Sequence, residues 1–199
     1  QKANSPPSRL VCPWLIVQMH RPLYSASPWY ENTRQAGTPG TAGDLTAHLE
    51  PLFREGEVDL VLGGHVHGYE RTHATGHNGT AVVHPTRLQR EQELDCYSSP
   101  GVPVYVNVGM GGAGSLGQFK GKPALTSLAK EDWNAVSLDA GYGYVQATVF
   151  TQIPGEARLL VEYHDIGERR WQPWQQRTAE RQAPAVLDRV LLIKPKGGS

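Results

Sequence analysis

The sequence predicts an α/β protein, and three features carry that reading. Two short, almost continuously apolar runs, 14–19 (Trp-Leu-Ile-Val-Gln-Met) and 58–62 (Val-Asp-Leu-Val-Leu), have the character of strands buried on both faces. Between them, Leu45, Leu49, Leu52 and Phe53 fall on one stripe of a helix over 45–55, with Asp44 placed to cap its start and Gly56 where a helix stops. Strand, helix, strand is the βαβ pattern, which makes the two strands parallel and sets their C-terminal ends at one edge of a sheet. Ligand sites of α/β folds lie at that edge.

The other elements follow from local signals. Residues 1–9 are polar and Pro-rich and are expected to be a linker. The first strand ends at His20-Arg21-Pro22, because a proline cannot continue the ladder. Residues 25–43 are rich in Ser, Pro, Gly and Thr and read as a long loop. The second strand runs straight into Gly63-Gly64-His65-Val66-His67. Downstream, 80–83 reads as a strand after an Asn78-Gly79 turn, and 103–108 as another before a glycine-rich stretch. Residues 142–151 and 157–163 alternate as an antiparallel pair around Pro154-Gly155; 186–193 is a last strand, and 196–199 a tail.

Composition narrows the function classes. A chain of 199 residues is one ordinary domain or most of one. Nineteen Lys+Arg against nineteen Asp+Glu leave no net charge, hence no electrostatic reason to expect nucleic acid or an anionic membrane as the main partner. The apolar runs are far short of a membrane span. Gly (22) and Pro (15) are in excess, which points to a loop-rich fold with shaped turns. Cys12 and Cys96 cannot form a disulfide scaffold, though one bridge stays open. Asn78-Gly79-Thr80 is a glycosylation sequon, meaningful in the secretory pathway.

The chemistry lies in the histidines. His20 closes the first strand and His65 and His67 follow the second, so three imidazoles converge on one rim. The i, i+2 spacing of His65 and His67 cannot share a helix face, but at a strand end it reaches neighbouring coordination positions. Neutral imidazole suits Zn, Fe or Mn, and Gly63 and Gly64 let backbone approach a metal closely. His48, on the helix, reads as solvated surface; His73, His77, His84 and His164 read as structural. Trp171 and Trp174 read as packing, and Glu70-Arg71 as a structural ion pair or cap.

The residues that carry these histidines resemble a known family. Trp14-Leu15-Ile16-Val17-Gln18-Met19-His20-Arg21-Pro22-Leu23-Tyr24, followed by Gly63-Gly64-His65-Val66-His67-Gly68-Tyr69-Glu70-Arg71, is similar to the C-terminal half of a purple acid phosphatase, within the calcineurin-like metallophosphoesterases. Pro103-Val104-Tyr105-Val106-Asn107-Val108-Gly109 resembles that family's next strand and loop, and the likeness extends over about 10–195. The resemblance implies part of a four-layer αββα sandwich with mixed sheets and the N-terminal half absent. Residues 10–100 would be the C-terminal half of the metallophosphoesterase core, and 101–195 the C-terminal segment of the same sandwich. It also implies phosphate monoester hydrolysis by Fe(III) paired with Zn, Mn or Fe(II). His20 and His65 match ligands of the divalent ion, and His67 a ligand of the ferric ion. Tyr30, at the position where the family often has a proton-donating histidine, would face the substrate; Arg21 reads equally as a residue facing the phosphate or as one side of an outward salt bridge. Secretion and glycosylation at Asn78 are implied as well.

The family's other four ligands, two aspartates, a tyrosine and an asparagine, come from strand ends that precede this region. Neither G-D-x-x-Y nor G-N-H occurs in the chain. The expectation is therefore three of seven ligands, an incomplete and aggregation-prone half, and activity only together with the N-terminal half of the same protein. The competing reading is non-enzymatic: a truncated metal-binding or interaction module. A (β/α)₈ hydrolase beginning at the H-x-H is set aside, because too little chain follows His67 for such a barrel.

Overall fold

The computed structural model describes residues 5–27, 44–77, 79–87, 94–111, 131–138, 142–167 and 184–196. Tyr30, Asn78, Trp171 and Trp174 lie outside them. In chain order the elements are α1 (Pro6–Val11), β1 (Ile16–Gln18), α2 (Asp44–Glu55), β2 (Leu60–Gly63), β3 (Tyr69–Gly76), β4 (Ala81–Val83), β5 (Thr86–Arg87), β6 (Asp95–Ser98), β7 (Val104–Val108), β8 (Asn134–Leu138), β9 (Tyr142–Phe150), β10 (Glu156–Gly167) and β11 (Ala185–Pro195).

The βαβ reading holds. β1 and β2 are parallel, with Ile16 opposite Leu60 and Gln18 opposite Leu62, and α2 is the crossover between them. They open a mixed sheet in the order β1-β2-β7-β3-β4, with β8 paired to β3. A second mixed sheet runs β5-β6-β11-β10-β9. The expected antiparallel pair is β9 with β10, turning at Gly155 with φ 73°, and β11 extends the sheet on the other side of β10.

Three apolar clusters result. Leu45, Leu49 and Phe53 of α2 pack on Val58, Val61 and Tyr105, covering one face of the first sheet. Its other face meets the second sheet, with Leu60, Val104 and Val106 against Leu159, Val161 and Leu192. A small third cluster of Leu94, Cys96 and Leu191 sits on the far side of the second sheet, because alternate residues of β11 point away from the sandwich.

Several expectations change. Residues 6–11 form a helix rather than a linker, entered through Pro6 and Pro7 and anchored by Arg9, which donates to the carbonyls of Pro13 and Glu57 and pairs with Asp59. β1 is not buried on both faces: Ile16 is 39% exposed, and among the described strands β1 ends the sheet. Leu52 is 59% exposed, so the buried stripe of α2 is Leu45, Leu49 and Phe53. The left-handed residue after α2 is Glu57 (φ 50°), one position beyond Gly56. Cys12 and Cys96 are both free, one exposed and one buried. Among the described residues, no helix is long and apolar enough to cross a membrane.

Candidate metal centre

The rim is built by three strands. In the first sheet β7 stands between β2 and β3, with Asn107 opposite Gly63 on one side and Glu70 on the other. The connection 64–68 therefore has to cross over the end of β7. His65 takes φ 64° in this crossing, a left-handed conformation that a non-glycine residue adopts at a cost. Two tight backbone bonds fold the turn, Val66 N–H to the Gly64 carbonyl (2.6 Å) and Gly68 N–H to the Val66 carbonyl (2.9 Å).

The first strand is stitched to the same rim. Met19 N–H donates to the Leu62 carbonyl and Gly64 N–H to the His20 carbonyl, both at 2.9 Å. Pro22 lies so close to Gly63 that a Cβ there would come within 3.2 Å of it. These contacts bring His20 and His65 together: Nε2 of His20 and Nδ1 of His65 are 3.1 Å apart, with the rings edge to face. Burial lowers the pKa of His65, and the charges of Arg21, His20 and His67 lower it further, which favours the neutral ring. Arg21 and His67 thus sit close enough to act on His65.

The residues after the H-x-H hold the rim in place, and they face opposite ways. Tyr69 and Arg71 point between the sheets. Tyr69 stacks on Tyr163 (4.1 Å) and donates to Asp188 at 2.7 Å. Arg71, 2% exposed, is forked onto Asp188 (Nε to Oδ2 2.6 Å, Nη2 to Oδ1 3.0 Å) and donates to Asp95 at 2.8 Å. Burial opposes its charge, but Asp188, Tyr69 and Asp95 more than restore it. Glu70 points the other way and accepts from Ser25 Oγ and the Ala26 amide, both at 2.6 Å. Glu70 and Arg71 are therefore structural, as expected, but each has its own partners rather than the other.

Full burial raises the Glu70 pKa to about 7, although its two hydrogen bonds pull it down. The folded chain then holds a proton that the unfolded chain, with a value of 4.5, releases. Stability from this group is complete below pH 4.5 and is lost as pH rises towards 7, by about 3 kcal/mol. Glu70→Gln is expected to flatten that part of the stability–pH curve, measured by urea unfolding from pH 4 to 8; an unchanged slope would refute the assignment.

The histidines not expected to bind metal have other occupations. His73 bonds the Tyr97 hydroxyl (2.7 Å) and meets the His84 ring edge to face, and His84 reaches Asp132 at 3.2 Å. His77 bonds Arg54, and His164 stacks on Tyr144; His48 is exposed on α2. Among the described residues, no group of three or more His, Cys, Asp and Glu is arranged to hold a metal ion. D-x-G occurs at Asp139 and Asp165, but both follow the histidines; Asp139 is outside the described residues and Asp165 lies on β10 in the second sheet.

The donor set fits half of a metal site. Two imidazole nitrogens sharing one ion at about 2.1 Å stand about 3.0–3.4 Å apart, and the 3.1 Å between His20 and His65 falls inside that range. Neutral imidazoles without a carboxylate supply no anionic charge, so the pair suits a divalent ion better than it suits Fe(III) alone.

Two stacked mixed sheets, with histidines at the ends of parallel strands, make an α/β sandwich with a candidate ligand-binding rim. The comparisons make this specific: in sequence and in fold the chain is similar to the C-terminal region of purple acid phosphatases. It is 33% identical over 105 residues to purple acid phosphatase 1 of Ipomoea batatas, a match covering 53% of this chain and 19% of that protein. With acid phosphatase type 7 of Danio rerio it is 26% identical over 205 residues, covering 100% of this chain and 38% of that protein. A purple acid phosphatase from yellow lupin seeds superposes with a TM-score of 0.62 at 26% identity, over 97% of this chain and 27% of that one. The chain thus spans roughly a fifth to two fifths of the relatives it matches. No protein-family model matches it.

Proposed function

We propose that this chain supplies the histidine side of a dinuclear Fe(III)–M(II) centre in an acid phosphatase that hydrolyses phosphate monoesters, with M being Zn, Mn or Fe. The observation that supports it most is the 3.1 Å approach of His20 and His65 on a rim whose backbone is strained to produce it. His20 and His65 would hold the divalent ion and His67 the ferric ion, with the anionic ligands coming from polypeptide outside these 199 residues. Such a centre, when bound, supplies an activated hydroxide and a clamp on the phosphate. The chain's own part is to present the imidazoles, to add the Arg21 cation beside them, and to fix both by the bonds of the rim. Tyr30 would face the substrate. Export through the secretory pathway, with glycosylation at Asn78, belongs to the same reading.

A second reading rests on the two-donor pair of His20 and His65 alone: a metal-binding or interaction module without activity. Metal content per purified chain is the first test. One weakly held divalent ion, lost in His65→Ala, is expected. Two tightly held metals would mean that the chain completes the site itself. Joined to its missing ligands, His65→Ala is expected to lower kcat/KM on an aryl phosphate by at least a hundredfold, whereas a non-enzymatic module gives no turnover to lose.

A further inference from the structure

We infer that Asn107 is the positioning residue of the rim, the group that holds the H-x-H turn in its ligating shape. This rests on the reading of His20 and His65 as metal ligands. β2 and β3 flank β7, so the turn 64–68 passes over Asn107 and has no strand of its own to pair with. The Asn107 side chain takes that place. Its Nδ2 donates to the Val66 carbonyl (2.9 Å) and to the Gly68 carbonyl (3.3 Å), one on each side of His67.

Three observations make this more than packing. Asn107 is 2% exposed, and its Oδ1 is buried without a hydrogen-bond partner among the described residues. A buried amide that leaves its acceptor unsatisfied is costly, so the two donor bonds must recover more than they forgo. The orientation is also forced, because turning the amide over would set its oxygen against two carbonyl oxygens. Finally, the bonds fall at both ends of the His67 residue and directly after His65, whose left-handed backbone persists only if its surroundings over-determine it. Val66 and Gly68 also bond Gly64 and Gly109, yet those are bonds of backbone to backbone within and beside the turn. Among the described side chains, Asn107 bridges the two carbonyls.

The donor pair, and not the shape, is what the turn requires. Asn107→Leu removes the donors at similar volume; Asn107→Asp keeps the shape and reverses the polarity. Val104→Ala is the control: it is fully buried on the same strand and lowers stability without touching the turn. In the metal-free chain the readout is the pair of ring nitrogen resonances of His20 Nε2 and His65 Nδ1, which share a hydrogen bond. Both Asn107 variants are expected to lose that coupled signature and to weaken Zn²⁺ uptake at least tenfold, while Val104→Ala keeps both. A folded Asn107 variant with the unaltered signature would overturn the proposal. The unaltered chain provides a test that needs no variant to fold. The Asn107 side-chain amide is expected to exchange slowly with solvent, and free-solvent exchange would equally overturn it. Failure of the unaltered chain to take up Zn²⁺ would sink the ligand reading alone, leaving the metal-free signature to decide the role of Asn107.

Discussion

Replacing Arg71 by methionine is expected to destabilise the chain by about 3–5 kcal/mol. Among the described residues, the guanidinium is the cation that faces Asp188, which also accepts from Tyr69, and it serves Asp95 as well. Removing it leaves a carboxylate at 8% exposure uncompensated between two sheets. The cost comes from that stranded charge rather than from the lost attraction, so adding Asp188→Asn to Arg71→Met should recover part of it. Urea unfolding of the two single variants and the double variant measures this. Additive losses would show that the pair acts as two independent groups.

The second large effect is at Gly109, which follows β7. A Cβ there would lie 2.0 Å from the Val66 carbonyl oxygen and 2.7 Å from its carbon, both backbone atoms that no rotamer change can move. Gly109→Ala is expected to cost about 3 kcal/mol or more and to abolish Zn²⁺ uptake, because the H-x-H turn must lift off the strand to make room. Gly111, with nothing within 4 Å of its own Cβ position, is the matched control and should accept alanine with little change in either quantity. Equal behaviour of the two variants would remove the close approach as a cause.

Much of this could be read from the residues. The βαβ unit was legible because its strands are short apolar runs and its helix has a stripe. The hairpin β9–β10 was legible because its strands alternate about a Pro-Gly turn. β3 was not legible, though it pairs with β7, β4 and β8 in the first sheet. Its residues, Tyr-Glu-Arg-Thr-His-Ala-Thr-Gly, show no apolar run, yet almost all are buried. They are buried by satisfying one another's polar groups across the fold, as when Thr72 accepts from the Tyr105 amide (3.1 Å). No local pattern announces partners that are 24 to 117 positions away, as Asp95 and Asp188 are from Arg71. The rim histidines were found from spacing and resemblance. Asn107 was missed, because a lone asparagine in a strand carries no sequence signal for a role that depends on what crosses above it.

The alternation along Tyr69, Glu70 and Arg71 has one further consequence. Odd positions address the second sheet and the even one addresses the segment after His20, so the strand has a parity fixed by the pleat. Slipping β3 by one residue against β7 would invert it, turning a carboxylate toward Asp188 and a guanidinium toward two buried serines. Such a slip leaves the composition untouched and strands both charges. The placing of Tyr69, Glu70 and Arg71 along the strand is therefore a phase, which the pairing of β3 with β7 sets.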